Sequence, residues 1–149
     1  EQGYAALRFT EPAEDFAHQH QDLRTESGKV YGDTIDHVDF DYIAKVTRVN
    51  GAAMASLAMA PAAPQEVKLR TAGLTNDSTL VWKANAEPDL AGYRIVWRDT
   101  TSANWEGAKW VGNVTEATLD LSKDNVFFGV QAVDKDGNVS VATYPLPLR

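Results

Sequence analysis

Gly92-Tyr93-Arg94-Ile95-Val96-Trp97-Arg98 carries its large rings and Ile95 on alternate residues, with Arg94 and Val96 between them. Side chains on a strand point alternately to opposite faces, so this spacing sets Tyr93, Ile95 and Trp97 on one face of a sheet. The same period of two extends on both sides. Glu66-Val67-Lys68-Leu69 and Thr79-Leu80-Val81-Trp82 precede it; Lys109-Trp110-Val111, Ala117-Thr118-Leu119-Asp120-Leu121 and Phe128-Gly129-Val130-Gln131-Ala132 follow. Asn76-Asp77, Ala91-Gly92, Lys123-Asp124-Asn125 and Asp136-Gly137-Asn138 supply turn chemistry between the runs. Short alternating strands at such intervals predict a mostly β chain closing on an antiparallel β-sandwich, over residues 65–149.

The pattern changes upstream of Ala60-Pro61-Ala62-Ala63-Pro64. Two prolines in that stretch stop a helix and favour an extended connector, so residues 61–64 read as a linker. Before them, from Asp39 to Ala60, the periodicity is helical. Asp39 is placed to cap the helix, Asp41 suits its positive end, and Phe40, Ile43, Thr47, Ala53 or Met54, and Leu57 share a face. Earlier still, Tyr4 to Thr10 reads as a short strand ended by Glu11-Pro12. Some thirty aperiodic residues then hold turn-like Ser27-Gly28 and Tyr31-Gly32-Asp33. One short strand and one helix cannot bury the helix's apolar face between them, so residues 1–60 require a partner surface.

Residues 62–147 resemble a fibronectin type III domain. The resemblance rests on Ala63-Pro64 leading into Val67 and Leu69, on Leu80-Val81-Trp82, on Gly92 to Trp97, on Leu119-Asp120-Leu121, and on Phe128 to Asp134 followed by Asp136 to Ser140. It implies that Trp82 is core and that Asp136-Gly137-Asn138 turns the last hairpin. Val126 stands where that family places a corner tyrosine, so packing must replace the tyrosine's hydrogen bond.

Composition narrows the function. The 149 residues hold 44% hydrophobic and 23% charged side chains, ordinary for a globular protein. A net charge of −7 without any Lys/Arg run disfavours nucleic acid as a partner. No apolar run reaches the ~18 residues of a membrane span. The absence of cysteine excludes disulfides and thiolate metal sites. Glu1-Gln2-Gly3-Tyr4 has no signal-peptide character, as expected of a mature exported chain or of an excised fragment. Asn76-Asp77-Ser78, Asn113-Val114-Thr115 and Asn138-Val139-Ser140 match the glycosylation sequon, a pattern that turn-rich domains also produce by chance.

Asp15-Phe16-Ala17-His18-Gln19-His20-Gln21-Asp22 is the chemically dense stretch. Imidazole is the commonest protein ligand for zinc, but a zinc site needs three or four protein ligands. His37 is the one other histidine in the chain. Either the cluster has nothing to do with metal, or the remaining ligands lie outside this sequence.

Gly3 to Glu11, Glu14 to Asp22 and Val38-Asp39-Phe40-Asp41-Tyr42-Ile43-Ala44 together resemble the C-terminal end of a co-catalytic di-zinc aminopeptidase. In that family a late strand leads into a loop bearing the last zinc-ligand histidine, with an acidic residue four positions on and a closing helix after it. His18 and Asp22 match that spacing. The resemblance implies zinc as cofactor, His18 as a metal ligand, and Asp22 as a residue that orders the loop. His20 has no counterpart. The family's other metal ligands and its general base have no candidates in this sequence and would precede Glu1. His-x-His-x-Asp also occurs in metallo-β-lactamase-like hydrolases, but Leu23 stands where those enzymes have a further histidine.

The other motifs read as structural. His37 precedes the helix and suits its cap region or the surface. Asp134, Asp136 and Asn138 fail the calcium-loop pattern and fit a hairpin turn with Gly137 at positive φ. Trp97 is expected half-buried, while Trp105 and Trp110, on either side of Glu106-Gly107, are the candidates for an exposed aromatic surface that docks on a neighbour or binds glycan. No nucleophile elbow or phosphate-cradling glycine loop is present.

The resulting expectation is the C-terminal fragment of a secreted or periplasmic zinc aminopeptidase, inactive alone. Its partners would be the upstream peptidase domain of the same polypeptide, a peptide substrate, and a second copy if the exposed helix face forms a homodimer. The alternative is a non-catalytic fibronectin type III interaction module, binding protein or glycan.

Overall fold

The computed structural model describes residues 8–149. The chain divides into two compact units, with the boundary between Arg48 and Val49. That boundary falls inside the long helix α1, Phe40–Met59.

In the first unit the strand expected to begin at Tyr4 lies partly outside the described residues, and Arg8 to Thr10 have no regular structure. The segment that sequence alone leaves aperiodic is partly ordered. Strands β1 (Arg24–Glu26) and β2 (Lys29–Tyr31) form an antiparallel hairpin. Its two-residue turn uses Ser27 and Gly28, both left-handed at φ 51° and 79°. Two consecutive left-handed residues match the twist of flanking strands, which is why this turn closes so short a hairpin. A 3-10 turn, Ile35–His37, then leads to α1. Asp39 caps that helix as expected: its Oδ1 accepts the Tyr42 amide at 2.9 Å. No residue of α1 is buried, and Phe40, Ile43, Met54 and Leu57 are all exposed.

The second unit is a fibronectin type III-like antiparallel β-sandwich. Its strands are β3 (Gln65–Arg70), β4 (Ser78–Lys83), β5 (Leu90–Asp99), β6 (Gly107–Gly112), β7 (Glu116–Leu119), β8 (Val126–Asp134) and β9 (Leu146–Leu148). One sheet runs β7-β4-β3-β9 and the other β6-β5-β8. Every pairing is antiparallel except that of β9 with β3. Val67, Leu80, Trp82, Tyr93, Ile95, Leu119, Phe128, Val130 and Ala132 form the core. Each fully buried Val, Leu, Ile or Phe contributes about 1.5–3 kcal/mol, so these alternating positions supply most of the drive to close the sheets.

Two expectations need correction, and one strand was not expected. Ala91-Gly92 is no turn: β5 runs through it, with a register irregularity between Leu90 and Gly92. Leu121 lies beyond the end of β7, though it still packs on the core. And β9 is a strand that no alternation announces. Elsewhere the expectations hold. Trp82 is buried and Trp97 half-buried, and Val126 packs against the core from the start of β8. Gly137 has φ 87° in the turn after β8. In that turn Asp134 accepts the Asp136 and Asn138 amides and the Asn138 side-chain amide, at 2.8–3.0 Å. The Asn138 side chain foremost, with the backbone amides, holds the Asp134 carboxyl below the ordinary carboxylate range.

Candidate metal-ligand loop

Ala17 anchors the loop that carries His18. It is buried at 3% exposure, and its carbonyl accepts the Gly32 amide at 3.0 Å. Asp15 shapes the approach: its Oδ1 accepts the Ala17 amide at 3.0 Å, and its carbonyl accepts the His18 amide at 3.0 Å. On the far side the Gln21 carbonyl accepts the Asp33 amide at 3.2 Å. The chain from Ala17 to Gln21 is thus tied at both ends to Gly32-Asp33. Gly32 has φ 143°, a backbone that side chains rarely adopt, and a Cβ there would also press on Leu23, 2.5 Å from its Cδ2 and 3.3 Å from its Cα.

His18 presents one nitrogen for chemistry. Its Nδ1 lies 3.2 Å from the Gly32 carbonyl oxygen. A carbonyl oxygen only accepts, so Nδ1 carries the proton and the neutral ring keeps its lone pair on Nε2. Such a carbonyl–histidine contact fixes the tautomer and ring orientation of metal-ligating histidines. The Nε2 atom is 3.9 Å from Asp15 Oδ2, and the His18 side chain is 16% exposed. The ring also stacks on His37, with centroids 3.4 Å apart and planes 16° from parallel.

The remaining polar residues of the cluster do other work. His20 is exposed and left-handed at φ 53°, and its amide is held by Asp33 Oδ2 at 2.9 Å. Asp33 therefore orders the loop, a role that nothing in its sequence context announced. Asp22 is exposed, and its carbonyl receives Arg24 Nη1 at 3.5 Å. Among the described residues no three His, Asp or Glu side chains are grouped to hold a metal ion. His18 fits a zinc ligand by its free Nε2, but it fits as one ligand of a larger set.

The tryptophans part company. Trp110 is exposed at 53%. Trp105 is only half-exposed and packs on Tyr144, with ring centroids 5.4 Å apart. It lies so close over β8 that a Cβ on Gly129 would be 3.0 Å from its ring. Two of the three sequons are engaged in the fold. Ser78 is buried and its hydroxyl donates to the Leu121 carbonyl at 2.7 Å, while the Asn138 side-chain amide is bound to Asp134. Asn113 and Thr115 are exposed.

No protein-family profile matches the chain. It is similar to a protein of Pyrenophora tritici-repentis described as a probable zinc metalloprotease, with 51% identity covering 97% of this chain and 30% of that protein. A protein of Pyricularia oryzae with the same description is 48% identical over 97% of this chain and 30% of its own length. The chain spans about a third of the curated relatives it matches. Among solved structures, an Fn3-like protein from Clostridium thermocellum superposes with a TM-score of 0.46 at 18% identity, covering 60% of this chain and 96% of that one. The assignment of the sandwich rests on its strand order.

Proposed function

We propose that this chain is the C-terminal part of an exported zinc-dependent aminopeptidase, to which it brings one metal ligand, His18, and an accessory β-sandwich. The observation that carries the reading is the pairing of His18 Nδ1 with the Gly32 carbonyl, which leaves Nε2 free to coordinate. Relatives described as probable zinc metalloproteases, three times as long as this chain, support a parent protein of that chemistry. The exposed apolar face of α1 supports a covering domain from the same polypeptide.

Zinc, when bound, polarises a peptide carbonyl and lowers the pKa of a bound water. This chain's own part is narrower. His18 donates an electron pair and moves no proton. The Gly32 carbonyl keeps the donor nitrogen in the right tautomer, and Asp15 and Asp33 hold the loop that carries it. Asp22, which the aminopeptidase resemblance makes the loop-ordering residue, is exposed and engaged here only through its carbonyl, and Asp33 orders the loop instead. The substrate is a peptide with a free amino terminus.

The test is made on the intact protein with His18 replaced by alanine. Zinc content is read by elemental analysis, and activity on aminoacyl chromogenic amides. The reading expects His18→Ala to lose bound zinc and exopeptidase turnover while the sandwich stays folded. Unchanged zinc and turnover would remove His18 from the site and leave a non-catalytic module as the account of this chain.

A further inference from the structure

We infer that His37 is a positioning residue for the His18 imidazole, clamping its plane so that Nε2 points to a fixed place before any metal arrives. This rests on the reading of His18 as a zinc ligand.

The Gly32 carbonyl restrains the His18 ring within its plane, through one hydrogen bond at Nδ1. A single bond leaves the ring free to rock about the line joining Nδ1 to the oxygen. Rocking moves Nε2, the atom a metal must meet. The face-to-face contact with His37 at 3.4 Å and 16° opposes that motion, because the ring cannot tilt without meeting its neighbour. Edge and face are thus restrained by different residues, and the two together fix the lone pair's direction.

The two restraints share an anchor. The Gly32 carbonyl, with two lone pairs, accepts both His18 Nδ1 at 3.2 Å and the Thr34 amide at 3.1 Å. Thr34 opens the 3-10 turn, and its own carbonyl accepts the His37 amide at 3.2 Å. The Val38 amide closes the turn on the Ile35 carbonyl at 3.1 Å. The residue that fixes the tautomer of His18 therefore also sets the turn that delivers His37 to its face. A surface histidine of the helix's cap region needs no such alignment, since Asp39 already caps α1.

Stacking needs a flat ring and no ring nitrogen, so His37→Phe should serve and His37→Ala should not. The chain is labelled with ¹⁵N-histidine, and the His18 ring is read by long-range ¹H–¹⁵N correlation at about pH 8, above the ordinary imidazole pKa of about 6.5. The wild-type ring should be held as the Nδ1–H tautomer. His37→Ala should move the tautomer ratio toward that of free imidazole by about two- to tenfold, the worth of one aromatic contact. His37→Phe should restore it. In the intact protein, zinc affinity measured by chelator competition should follow the same order.

A wild-type His18 found in the Nε2–H tautomer would overturn the metal-ligand reading itself. A wild-type ring held as Nδ1–H but unmoved by His37→Ala would overturn the role of His37 alone. If His37→Ala unfolds the loop, His37→Phe decides. A folded Phe variant with a free-imidazole ratio overturns the inference, and one with the wild-type ratio supports it.

Discussion

Gly32 holds His18 and its neighbour at once: its carbonyl meets the Nδ1 of His18 at 3.2 Å, and its amide meets the carbonyl of Ala17 at 3.0 Å. Gly32→Ala would set a Cβ against Leu23 at 2.5 Å in a backbone of positive φ. The loop should be destabilised by about 1–3 kcal/mol. Hydrogen exchange checks this: the amides of residues 20 and 32 should lose protection, and retained protection would show that the loop absorbs the methyl group.

The contact of Trp105 with β8 predicts a coupled pair. Gly129→Ala should destabilise the sandwich by about 1–3 kcal/mol, because its Cβ meets the indole at 3.0 Å and Ala142 at 3.1 Å. In a Trp105→Ala background much of that cost should vanish. Urea unfolding of the four proteins gives the cycle, and additive losses would separate the two residues.

Leu80 and Leu146 are both strand leucines, at 0% and 69% exposure. Leu80→Ala should cost about 2–5 kcal/mol through lost burial and the cavity left behind. Leu146→Ala should change stability by no more than about 0.5 kcal/mol. Equal losses in denaturant titrations would contradict the assignment of β4 to the core.

Acid should weaken the second unit. The carboxyls of Asp134, Asp99 and Glu87 are all held below their ordinary range: by the Asn138 side chain, by the Thr101 amide and hydroxyl, and by the Ala62 amide respectively. A carboxylate with a lowered folded pKa stabilises above its unfolded value and loses that contribution as pH falls through the folded one. The melting temperature should therefore fall as pH drops below about 4.5. Asn138→Ala should flatten that dependence; an unchanged slope would show that Asp134 is not the group responsible.

Removing the cap at Asp39 should fray α1. Asp39 Oδ1 holds the Tyr42 amide at 2.9 Å, and losing such a cap costs about 1 kcal/mol. Asp39→Ala should lower the helical circular dichroism signal, and an undiminished signal would mean that the helix is held by other contacts.

The sandwich was legible because its core strands alternate: Tyr93 and Ile95 on β5, and Val130 and Ala132 on β8, are each spaced by two and fully buried. Strand β9 was not, because Leu146-Pro147-Leu148 is three residues long and earns its place by parallel pairing with β3 alone. Hairpin β1–β2 was legible only at its Ser27-Gly28 turn, since short exposed strands bury nothing that would impose a pattern. In the loop, His18 stood out by chemistry and by the spacing to Asp22. The Gly32 carbonyl, Asp33 and His37 did not, because backbone acceptors and contacts across thirteen or more residues leave no periodic trace.

The central claim is that His18 binds zinc through Nε2. A crystal structure of the intact protein with zinc-edge anomalous scattering tests it most directly. The account predicts a zinc peak about 2.0–2.1 Å from His18 Nε2, with the Nδ1 contact to Gly32 retained and the other ligands supplied from outside this chain. A zinc peak away from His18, or one bound through Nδ1 with the Gly32 contact broken, would contradict it.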